Sequence, residues 1–75
     1  MELKTNEELI ESLTKEKVEL QEKINRLGRV IREQLVNGGD DIPSHHLVLL
    51  YRQISVMMEY ADILSKRIED AKARV

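Results

Sequence analysis

Arg26, Arg29 and Arg32 are the most concentrated basic feature of the 75-residue chain. A guanidinium offers a planar fork of donors that matches phosphate oxygens in pairs, so three arginines spaced by three are a candidate anion site. The same spacing also suits an ordinary solvated basic face. The aromatic residues are Tyr51 and Tyr60, with no Trp and no Phe. A tyrosine ring can stack on a nucleobase. Tyr60 borders an apolar seam and reads as a packing residue, whereas Tyr51 is more peripheral. Arg52 and Arg67 add cations to the tyrosine-bearing segment. These seven residues are the candidate ligand-binding set.

Other chemistry finds little support. His45 and His46 are adjacent, so on a helix they point about 100° apart, whereas helical metal pairs need spacing of three or four. Gly38-Gly39 is not followed by the Lys-Ser/Thr of a phosphate-binding loop. No nucleophile, base and orienting group stand together. The sequence therefore predicts no enzyme, no metal and no cofactor.

Two long elements must position these residues. The breakers cluster in Asn37-Gly38-Gly39-Asp40-Asp41-Ile42-Pro43, and the flanking segments, at about 6–36 and 44–74, read as helices. Thr5 with Glu8 forms a capping box before the first. Ile10, Lys17, Ile24 and Ile31 make one heptad row, and Leu13, Leu20, Leu27 and Gln34 the other. Lys17 and Gln34 interrupt that seam, and Thr14 is placed to cap a second start beyond a bend at 12–17. Gly28 costs about 1 kcal/mol against Ala in a helix; it is either a tolerated loss or a point of close approach.

Ser44 is the expected cap of the second helix. Its seam is complete: Leu47, Ile54, Ala61, Ile68 and Val75 form one row, and Leu50, Met57, Leu64 and Ala71 the other. A further apolar row, Leu49, Val56 and Ile63, lies beside it, widened by Tyr51, Met58 and Tyr60. Two helices of nearly equal length, each about 46 Å at 1.5 Å per residue, joined by a short loop, predict an antiparallel all-α hairpin. Glu7, Glu8, Glu11, Glu16 and Glu19 would lie beside Lys66, Arg67, Lys72 and Arg74, pairing opposite charges. In the hairpin the three arginines fall in the loop half, near Arg52.

Composition bounds the rest. A chain this short buries too little surface to be stable without help, and with no cysteine that help is not a disulfide. The surplus apolar row instead predicts a coiled-coil-like homo-oligomeric bundle with four or more helices in its core. A net charge of −2 argues against general nucleic-acid binding. The acidic N-terminus is no signal peptide, and no apolar run is long enough to span a membrane. The expected location is the cytoplasm.

The segment from Leu49 to Ile68 resembles a family of small phage hairpin proteins related to a protein of a crAss-like phage. Leu49, Leu50, Gln53, Met57, Tyr60, Leu64, Arg67 and Ile68 fit that family's second helix, and the stretch from Leu13 to Leu27 is similar to its first. The Gly38-Gly39-Asp40-Asp41 loop departs from the Glu-rich loop usual there. That family is in turn similar in architecture to the hairpin domain of phage anti-defence sponges; here Ile24-Asn25-Arg26-Leu27-Gly28 is similar to a stretch of the sponges' first long helix. Those sponges assemble as oligomers and sequester cyclic nucleotide signals of bacterial immune systems such as CBASS and Thoeris. The resemblance thus implies a phage protein that binds a cyclic nucleotide without catalysis. It assigns a class of function and no ligand-binding residue. The alternative is a coiled-coil interaction module, an inhibitor or assembly factor, whose apolar face binds a host or phage protein. A DNA-associated regulator ranks third, because no helix-turn-helix spacing is present.

Overall fold

The computed structural model describes residues 5–36 and 44–74, except the side chain of Ser44. Helix α1 spans Asn6–Val36 and helix α2 spans Ser44–Ala73. The two pack on each other as a hairpin, 51 Å in its longest dimension and 20 × 18 Å across. The interruption at 37–43 and the capping role of Ser44 lie outside the described residues.

Thr5 starts α1. Its carbonyl accepts the Leu9 amide at 2.9 Å, and its Oγ1 accepts the Glu8 amide at 3.2 Å. The same hydroxyl donates to Glu8 Oε1 at 3.1 Å. The cap therefore forms, but the carboxylate returns to the hydroxyl rather than to the backbone amide of a full capping box. Glu7 and Glu8 fill the first turn, where negative charge meets the positive end of the helix dipole.

No break interrupts α1 at 12–17, and Thr14 caps no second start. Thr14 Oγ1 donates to the Ile10 carbonyl at 2.7 Å. Its hydroxyl is thus engaged one turn back inside a continuous helix, as Ser55 is with Tyr51 at 3.0 Å and Ser65 with Ala61 at 3.1 Å.

The core is a single seam. Leu13, Leu20, Ile24, Ala61 and Leu64 form its buried cluster, with Leu9, Ile54, Met57 and Ile68 packed against it. Ile31 and Ala71 are also buried. Every described seam position of α2 is buried or half-buried, and Leu49, Val56 and Ile63 are exposed. On α1, Lys17 and Gln34 are half-buried, so the seam is held by the leucines and isoleucines around them. Gln34 Oε1 is buried without a hydrogen-bond partner among the described residues. Such an atom costs about 1–3 kcal/mol.

Two contacts fix the antiparallel register. Asn6 Nδ2 donates to the Ala71 carbonyl at 2.6 Å, tying the first turn of α1 to the last turns of α2. Further along, a Cβ built on Gly28 would stand 3.6 Å from Ile54 Cδ1. That is ordinary van der Waals contact, so the helices do not approach closely enough there to require glycine.

The expected charge pairing between helices is replaced by pairing along α2. Lys66 bonds Asp62 at 2.9 Å, and Arg74 bonds Asp70. Residues four apart on a helix are always neighbours, whereas an interhelical pair must hold two long side chains across a gap. The hydrogen bond and charge of Asp62 raise the Lys66 pKa above its ordinary value. The sign gives a contribution fully present below the ordinary lysine value and lost as pH rises through the raised one. Lys66 is solvent-exposed, so the effect on folding is small.

Opposite outcomes are expected for two substitutions in chemical denaturation. Leu64→Ala empties the most deeply buried position, 0% exposed, and should cost about 2–5 kcal/mol. Gly28→Ala should stabilise by about 0.5–1 kcal/mol, because the helix gains propensity and the new methyl meets only Ile54 Cδ1. A lower midpoint for Gly28→Ala would mean that a closer neighbour stands there.

Candidate functional site

All seven candidate residues are exposed. Helical geometry decides where they point. At 100° per residue, Arg29 lies half a turn from Leu20, with Arg26 and Arg32 about 60° to either side. Leu20 is buried against α2. The three arginines therefore form the outward face of α1. Arg52 lies about 160° from Ile68, which packs against the core. Arg52 therefore faces outward on α2. Gly28 lies beside Ile54, which puts 29–32 level with 50–53 along the hairpin. Level with one another, the arginines and Arg52 nonetheless point away on opposite sides. Arg26, Arg29 and Arg32 thus share the loop half of the hairpin with Arg52, as expected, but not a common face.

The tyrosines are also separated. Tyr51 and Tyr60 lie about 100° and 80° from Ile68, on opposite flanks of the seam. Tyr60 is 41% exposed and Tyr51 42% exposed. The expected difference, with Tyr60 packed and Tyr51 more peripheral, is therefore not found. Bordering a seam does not bury a long ring when the neighbouring helix covers only the seam itself. Tyr60 and Arg67 share one flank, seven residues or about two turns apart along α2.

Four of the seven candidates, Arg29, Arg32, Tyr51 and Arg52, line open grooves. Tyr51 and Arg52 line one of about 380 Å³ with Val48, Ser55 and Val56. Arg52 also borders a second, of about 480 Å³, with Leu49, Gln53, Val56 and Met57. Arg29 and Arg32 line a third, of about 210 Å³, with Glu33 and Val36. The first pairs an aromatic ring with a guanidinium, the combination suited to a base beside a phosphate. In the third, the Glu33 carboxylate stands beside the cations, so an anion entering would also meet negative charge. Val48, Ser55 and Val56 had no place in the candidate set. Their signal was their spacing from Arg52, four residues before it and three and four after it, which places them around it on the outer side of α2.

Within one copy, then, the candidate groups are exposed, spread over the outer faces of both helices, and shallowly housed. No helix among the described residues is long and apolar enough to cross a membrane. No curated protein and no solved structure matches the chain. The family model Sequestin matches residues 7–70, a span that takes in nearly all of α1 and most of α2. With its hairpin matched almost from end to end, the chain belongs to the Sequestin family.

Proposed function

We propose that the protein is a phage anti-defence sponge that binds a cyclic nucleotide immune signal in the host cytoplasm and holds it without chemical change. The match to the Sequestin family, whose name denotes sequestration, carries this reading. The grooves support it. Arg52 beside Tyr51, and Arg29 with Arg32, are groups that suit phosphates and bases. Sequestration requires affinity and copy number and makes no demand for a nucleophile or base. Because the candidate groups point outward on different sides of one hairpin, the ligand would be held where copies meet. Self-association therefore belongs to the proposal, and the exposed apolar row of α2 supplies its driving force.

The alternative of a protein-interaction module is favoured by that same apolar row. Calorimetric titration with cyclic dinucleotides, cyclic trinucleotides and cyclic ADP-ribose isomers separates the two. The sponge predicts saturable binding of one class and recovery of the ligand unaltered. Arg26, Arg29 and Arg32 together changed to Ala should weaken binding by roughly tenfold per lost charge-assisted hydrogen bond. Folding should change by no more than about 0.5 kcal/mol per site, because all three side chains are exposed. Binding that survives the triple change would move the site elsewhere. Failure of the whole panel to bind at micromolar concentrations would sink the sponge.

A further inference from the structure

The exposed row on α2 has an internal symmetry about Val56. Leu49 precedes Val56 by seven residues and Ile63 follows it by seven. Arg52 and Tyr60 stand four to either side, and Gln53 and Glu59 three to either side. Val56 is 63% exposed, Leu49 51% and Ile63 50%. Residues seven apart drift only about 20° around a helix, so the three apolar residues stay on one face. That face lies away from α1, since the seam of α2 is occupied by Ile54, Met57, Ala61, Leu64 and Ile68. It is an uncovered apolar stripe flanked by charge.

We propose that this stripe is an interface between two copies of the chain, related by a two-fold axis at Val56 with their α2 helices antiparallel. The proposal rests on the self-association proposed above and names its face and direction. In an isologous antiparallel pair each residue meets the one equally far beyond the axis. Leu49 of one copy then packs on Ile63 of the other, and Val56 on Val56. Arg52 comes beside Glu59 and Tyr60 of the second copy, and the contact occurs twice. Within one copy Arg52 and Glu59 are seven residues apart, about 10.5 Å along the axis, beyond the reach of an ion pair. A parallel pairing would instead set Arg52 against Arg52 and Glu59 against Glu59, with like charges opposed. The charge pattern therefore selects the antiparallel direction. The pairing also joins a guanidinium of one copy to a tyrosine ring of the other, a combination that a single hairpin does not make with Tyr60.

Sedimentation velocity and directed cross-linking test this. The wild-type protein should sediment as a dimer or a multiple of it. Val56→Glu, which puts two carboxylates at the axis, should halve that mass. The chain has no cysteine, so Leu49→Cys and Ile63→Cys each introduce a single thiol. Mixed and oxidised with diamide, they should form the 49–63 heterodimer in preference to either homodimer. Preferred 49–49 and 63–63 disulfides would overturn the proposal, as would an assembly whose mass Val56→Glu leaves unchanged; in those cases self-association itself would stand. A wild-type monomer at micromolar concentration would overturn both.

Discussion

Two helices have one interface between them. Everything else in this structure follows from that limit. A helix in a hairpin can bury only the stripe that faces its partner, and here that stripe is the Leu13–Leu20–Ile24 side of α1 against the Ala61–Leu64 side of α2. The cluster supplies the burial that holds the fold, helped at one end by the Asn6 bond to the Ala71 carbonyl. Helix α2 carries more apolar surface than the seam can take, so Leu49, Val56 and Ile63 stay outside. The arginines stay outside as well, since the described residues form no second layer over them.

The fold was largely legible in the sequence because heptad spacing states which stripe is apolar. On α2 that spacing separated the covered seam from the uncovered row, residue by residue. On α1 it was less complete. Leu9 packs on the core outside the two heptad rows, and Lys17 and Gln34 sit half-buried at seam positions. The second helix start suggested by Thr14 did not materialise, because a threonine hydroxyl can bond the carbonyl one turn back as well as cap a new start. Pairing of charges between helices was overestimated for a related reason: neighbours along a helix are closer than neighbours across it.

The candidate site was legible in its residue types and not in its arrangement. Level along the hairpin is one coordinate, and direction around each helix is the other. Arg29 lies half a turn from Leu20, which was enough to show that it points away from α2. Tyr60 illustrates the opposite difficulty, since its place beside the seam left its burial to the width of the covering helix. Once both coordinates are combined, the cationic and aromatic groups lie on separate outer surfaces of the hairpin. The proposed sequestering function, which rests on membership of the Sequestin family, would give those surfaces a purpose.

The central claim is that the protein works as an assembly that holds a small anionic ligand intact. Native mass spectrometry with the cyclic nucleotide that binds in titration measures this most directly. The account predicts complexes in which the unmodified ligand is carried by two or more chains, with no ligand retained on the single chain. A complex of one chain with one ligand, or release of a hydrolysed ligand, would contradict it.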